Sequence, residues 1–346
     1  RLNTLGQEVE NGAIYQFVHS PFPFCLHCGV TYSGRERSDF GKLATLSSEG
    51  RSTATTVLSL SALRALRRDE ALEQKAKKLL SFTDNRQDAS LQAGHFNDFV
   101  EVGLLRAALY RAVQQAGVNG IRHDELAQRV FAALDLPPEL YAVNPEVKFK
   151  QKQETELALR EVLAYRVYQD LRRGWRVTAP NLEQSGLLTI DYVSLEDLCA
   201  DESEWQGCHE ALKTATPAER HNVTKVLLDV LRRELAIKVD YLDPVYQERI
   251  QQRSSLRLIE PWAIGDEETM IHAAVAWPRA SRKGDYGGHL FVSSRSGFGL
   301  YLRRQNTFPR FPANLKMVDT DKIIPQLFGV LQSAGLVEPV TEKPNA

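Results

Sequence analysis

The chain runs to 346 residues with 43% hydrophobic and 25% charged side chains, an ordinary globular composition at a length that suits two or three compact units. Its net charge of -1 excludes a basic signature spread over the whole chain, so any affinity for nucleic acid has to be local. No stretch reaches the roughly 18 consecutive apolar residues of a membrane span. There is no charged-then-apolar leader, and four cysteines in so long a chain make no disulfide framework, which fits a reducing, cytoplasmic setting.

Taken in order, residues 1–45 read as an irregular segment holding Pro21, Pro23, Cys25 and Cys28. Residues 46–76 read as a linker helix, with Ser52 or Thr53 as its N-cap and Val57, Leu60, Leu63 and Leu66 recurring at every third position. In residues 77–116, "KLLSF" reads as a short buried strand that flows into a long amphipathic helix from Ala89 to Gln115. Residues 117–260 are expected to be mainly helical. "IRHDELAQRVFAALDL" stops at Pro137-Pro138, and a long charged helix follows with Val162, Tyr165 and Tyr168 in its apolar stripe. "GLLTIDYV" reads as a strand, and a further helix starts at Thr216-Pro217 with Glu219 close behind. Charge-rich helices of this kind are expected to present solvated faces.

Residues 261–346 change character. From Thr269 to Val318 eight basic residues (Arg279, Arg282, Lys283, Arg295, Arg303, Arg304, Arg310 and Lys316) face a single acid, Asp285. Aromatics are interleaved with them, among them Tyr286, Phe298, Tyr301 and Phe308. Phosphate neutralisation by Arg and Lys supplies affinity and aromatic rings offer stacking surfaces, so this stretch is the best local evidence for nucleic-acid binding. The plainer alternative turns the aromatics into a core. The stretch ends in a helix closed by Gly335 and an expected short apolar strand, the finish of a winged-helix unit.

Two turns carry candidate chemistry. Cys25-Leu-His-Cys28 is a two-cysteine knuckle, preceded by prolines and followed by strand-and-turn residues, which favours zinc over a redox dithiol at a helix start. One knuckle supplies half of a tetrahedral site. Cys199 and Cys208 are spaced too widely to be its match, and the expected second pair lies before Arg1. In "SFTDNRQDAS", Asp84 with Gln87 three residues later makes a capping box. Capping leaves Thr83, Asn85 and Arg86 unassigned, at a strand-to-helix junction where phosphate is favoured, so both readings stand. "SSEGRSTATT" is more economically a simple cap. No G-x-x-x-x-G-K-[ST] box, no acidic box after an apolar strand and no nucleophile–base pair is found.

"KLLSFTDNRQDASLQAGHFNDF" resembles the motif IV strand and helix that open the second RecA-like domain of large superfamily 2 DEAD/DEAH-box DNA helicases. The resemblance is to the long bacterial enzymes of DNA repair and phage defence, the mitomycin-repair and DISARM-like group. "FCLHCGVTY", "LATLSSEGRSTATTVLSLSAL", "NLEQSGLLTIDY" and "SSRSGFGLYLRR" followed by "AGLV" are similar to other parts of the same proteins. The resemblance implies an ATP-driven motor on DNA, with residues 77–116 as the first strand and helix of the second lobe. Thr83, Asn85 and Arg86 would line the groove that tracks the strand, beside further contacts from Arg295, Arg303 and Arg304. It also implies a fold that is mainly α with a small α/β part, ending in a winged-helix-like unit. ATP and Mg would bind the parent protein through Walker and GRxGR-like motifs that this chain lacks, and Zn would sit on Cys25 and Cys28. The expected partners are DNA and the remaining helicase lobes, with no membrane. The alternative is a non-catalytic DNA-binding or scaffold protein with a winged helix and a zinc knuckle. A small-molecule enzyme has no constellation behind it.

Overall fold

Helices dominate the computed structural model, which describes residues 51–80, 86–172, 181–285 and 287–340, without the side chains of 51–54, 74 and 86–99. Helix α1 spans Arg51–Arg68 and α2 spans Arg86–Ala116. Because α1 already begins at Arg51, Ser52 and Thr53 sit inside its first turn and do not cap it. Between the two helices Lys78, Leu79 and Leu80 form no strand, against expectation, and Leu80 is 79% exposed. An isolated extended segment with no neighbour to accept its amides gains nothing from strand geometry. Ser81 and Phe82, the rest of that stretch, lie outside the described residues.

A first core gathers around α4, which spans Phe149–Leu171. Helix α2 brings Leu105, Ala108 and Leu109 to it, spaced for one helical face. α3 (His123–Leu134) adds Val130 and Leu134, and α9 (Pro244–Arg257) adds Ile250. The expectation that the charged α4 presents a solvated face holds for its first turn, where residues 149–153 are exposed, and fails for its second half. From Glu161 to Asp170 every residue of α4 is buried, charged ones included. Each buried charge is answered by a partner far away in sequence. Arg106 forks onto Asp170 at 2.6 and 3.0 Å, and Arg253 reaches Glu161 at 2.6 Å while Tyr246 donates to the same carboxylate at 2.9 Å. Arg166 is clasped by Glu268 and has its Nε 2.8 Å from Glu101, an ionic contact out of hydrogen-bonding alignment. Without such partners a buried charge would cost several kcal/mol.

A second core unites residues 195–231 with residues 292–331. The short helices α5 (Leu195–Ala200), α6 (Glu202–Trp205) and α7 (Glu210–Lys213) lead into α8, Pro217–Arg233. The start of α8 is as the sequence predicts: Glu219 N–H donates to Thr216 Oγ1 at 3.2 Å and Thr216 N–H donates to the Glu219 carboxylate at 2.7 Å. Residues 186–193, expected as a strand, form none. Their polar groups are met singly instead. Lys225 donates to Ile190 O at 3.0 Å, and Tyr192 turns its hydroxyl to Asp229 at 2.8 Å.

The last third holds the only strands among the described residues. β1 (Val275–Trp277) and β2 (His289–Phe291) pair in parallel, with Ala276 opposite Leu290. Helix α10 (Gly297–Leu302) and helix α11 (Met317–Ser333) follow. α11 presents Ile323, Ile324, Leu327, Val330 and Leu331 to the second core. Gly335 ends it at φ +70°, a left-handed turn in which Leu336 N–H returns to Leu331 O at 2.9 Å. The expected strand after this glycine is absent, since residues 336–340 belong to no ladder. The described residues are thus mainly helical with one small parallel pair.

Candidate nucleic-acid interface

The cations of residues 269–318 are sorted by the fold into three roles. Arg279 is neutralised. Its guanidinium lies 4.7 Å from the Trp277 ring centroid and 5.1 Å from that of Phe291, and forks onto Asp285 at 2.8 and 2.9 Å. The Arg279 fork and the Arg282 backbone N–H hold the Asp285 carboxyl well below the usual carboxylate range. The single acid of the stretch is therefore spent inside its own turn.

Arg303 has a structural task. It is half-buried and donates from Nη1 to Ser294 O at 2.6 Å, tying the end of α10 to the turn before it. That turn is tight. Ser296 Oγ accepts from Gly299 N–H at 3.2 Å and donates to Ser293 O at 2.7 Å. A Cβ on Gly299 would stand 2.5 Å from Ser294 O and closer still to Ser293 O, so only glycine fits there.

The third group is the candidate interface. Arg282, Lys283, Arg295, Arg304, Arg310 and Lys316 are exposed, and none takes part in an ion pair among the described residues. Arg295 stands at the tip of the tight turn. Arg304 lies 5.7 Å from the Tyr301 ring centroid, and the loop after it is fastened by Thr307 Oγ1 donating to Tyr301 O at 2.7 Å. Carboxylates are close to these cations too: Asp321 accepts from Ser294 N–H at 3.3 Å, Asp319 accepts from Lys316 N–H at 2.9 Å, and Asp285 accepts from Arg282 N–H. Guanidinium groups held on short rigid turns are suited to bidentate phosphate contact.

Four of the interleaved aromatics are committed to the second core, and Tyr286 lies outside the described residues. Phe298 and Phe308 are buried in the second core, with Tyr301 and Phe311 packed against it, as the plainer alternative has it. Among the sequence-predicted site residues, Arg295 and Arg304 are exposed and Arg303 is partly engaged. Arg86 is the first residue of α2, with its side chain outside the described residues. Thr83, Asn85, Cys25 and Cys28 also lie outside them. Cys199 is buried in the second core and Cys208 is half-buried beside it, both as free cysteines. Burial pushes the Cys199 thiol up to about 11, opposed in part by Thr224 and Arg220. Among the described residues no group of three or more His, Cys, Asp and Glu side chains is placed to hold a metal ion, and no helix is long and apolar enough to cross a membrane.

Comparison with protein-family models, with curated proteins and with solved structures finds no match.

Proposed function

We propose that the chain is the nucleic-acid-holding central segment of an ATP-dependent DNA helicase or translocase. The observation that carries this reading is the set of six cations that are exposed and without an ion pair among the described residues. Arg282 and Lys283 lie between β1 and β2, and Arg295, Arg304, Arg310 and Lys316 lie on the segments flanking α10 and leading into α11. They sit in a chain whose net charge is only -1, so the surface owes its character to local segregation. Each phosphate contact releases condensed counterions, which makes such a surface grip DNA strongly at low salt and weakly at high salt. Thr83, Asn85 and Arg86 would add contacts from the strand-tracking groove. Cys25 and Cys28 would hold Zn together with ligands from elsewhere. ATP and Mg belong to motifs outside this sequence, and the other helicase lobes are the partners that supply them.

Fluorescence anisotropy with a labelled DNA duplex across a salt series tests the reading. Arg295→Ala with Arg304→Ala and Arg310→Ala is expected to weaken binding and to reduce the log–log salt slope by about 1 per lost phosphate contact. An unchanged slope would take this surface out of the DNA site. The chain by itself, lacking Walker A, Walker B and arginine-finger groups, is expected to show no DNA-stimulated ATP hydrolysis.

A further inference from the structure

The combination looked for in residues 269–318, exposed cations around an exposed ring, occurs at the start of α4. Lys148, Phe149, Lys150 and Lys152 are all exposed, and Phe149 leaves 86% of its surface in water. A ring of this size is ordinarily drawn into a core. The first core is within reach, because Thr155, Ala158 and Leu159 of the same helix are buried in it or beside it. Phe149 stays out, on a backbone with φ +51°, a left-handed value that a bulky side chain adopts only against steric resistance. Next to the strip lies an open cleft of about 570 Å³, lined by Tyr141, Asn144, Pro145, Glu146, Lys148 and Lys152 among others.

Among the described residues Lys148 and Lys150 join no ion pair, and Lys152 stands 3.8 Å from Glu156 with both side chains still reaching solvent. Glu146 on the cleft and Glu139 in the same loop have no ion-pair partner among the described residues, so the excess of positive charge is small. Stacking therefore has to carry more of the affinity than phosphate contact does. We infer that this strip takes hold of an unpaired nucleic-acid strand, with Phe149 stacking on one base and Lys148 and Lys150 meeting the phosphates beside it. A duplex offers no free base face and is not expected to use it. The inference rests on the reading of the chain as a nucleic-acid holder, but it names a different surface and a different form of the ligand.

The 346-residue chain is titrated against a labelled oligothymidine and against a hairpin duplex, and circular dichroism confirms that each variant is folded. Phe149→Ala is expected to weaken the oligothymidine about ten-fold and to leave the duplex unchanged, while Phe149→Trp keeps the single-strand affinity. Lys148→Ala with Lys150→Ala should lower the single-strand salt slope by about 1.4. Wild-type affinity of Phe149→Ala for oligothymidine overturns the inference. If the Arg295, Arg304 and Arg310 substitutions still weaken the duplex in that case, the reading beneath it survives. A wild-type chain that binds neither DNA overturns both. Unchanged DNA affinity in Phe149→Ala, combined with a fall from dimer to monomer in light scattering, also overturns it and assigns the strip to a protein contact.

Discussion

A single guanidinium, that of Arg220, joins three short helices to the fourth that bears it. Only 1% exposed, Arg220 donates to Cys199 O at 3.5 Å, Leu212 O at 2.9 Å and Lys213 O at 2.8 Å, forks onto Glu202 at 2.8 and 2.9 Å, and lies 5.3 Å from the Trp205 ring centroid. Helices of four residues have too few internal hydrogen bonds to persist alone, so α6 and α7 depend on this anchor. Arg220→Ala takes this donor from the buried Leu212 and Cys199 carbonyls and is expected to cost about 3 kcal/mol in a denaturant titration. Arg220→Lys should recover little of it, because an ammonium cannot reproduce the fork. Cys199 lies beside the same anchor and serves as an apolar filler of the second core. Iodoacetamide at pH 8, read site by site by mass spectrometry, is expected to spare Cys199 in the folded chain and to modify it once denaturant is added. Rapid labelling of the native protein would contradict its burial.

Among the elements, α4 and α8 show what a local window of sequence can and cannot reveal. The start of α8 was legible because Thr216, Pro217 and Glu219 act within one turn, and the end of α11 because Gly335 acts on its own helix. The burial of α4 was not legible, since its charges are satisfied by Arg106, Arg253 and Glu268, all remote in sequence. Strands failed for a related reason: Lys78–Leu80 and residues 186–193 have strand-like composition, but pairing is a property of two segments. At the interface, the count of cations was readable while their division was not. Arg279 is lost to Asp285 six residues on, and Arg303 to a carbonyl nine residues back. A pH test belongs at this scale. Glu183 is braced by Arg232 at 2.7 and 2.9 Å and by Arg233 at 3.0 Å. Burial works against ionisation, but the two guanidiniums together outweigh it and hold the carboxyl below its usual range. Its unfolded counterpart titrates near about 4.3, so the stabilisation is complete above that pH and is lost as pH falls through the lower folded value. Glu183→Gln is expected to cost about 2 kcal/mol at neutral pH, with the gap in melting temperature closing on acidification below about pH 4. A gap that is constant down to pH 2 would refute the ionic role.

Across the whole molecule, the two cores draw on segments that alternate along the chain. The first takes residues 105–182 and 235–270, the second residues 195–231 and 292–331. A fragment of residues 261–346 carries the basic turns but lacks α8 and its leucines, so it is expected to show no cooperative thermal transition by circular dichroism. A sharp melt from that fragment would mean that the C-terminal third supports itself. The Arg279–Asp285 clasp has a further consequence, for the conditions under which the cationic surface works. Asp285 stays ionised far into the acid range, and a guanidinium does not titrate in any solution a protein meets. Over the span from mild acid to mild base, then, the arginine share of that surface charge is a constant. Dissolved ions are the control that remains: a cell or an experimenter would loosen this grip by ionic strength, and a change of proton concentration would leave it closed.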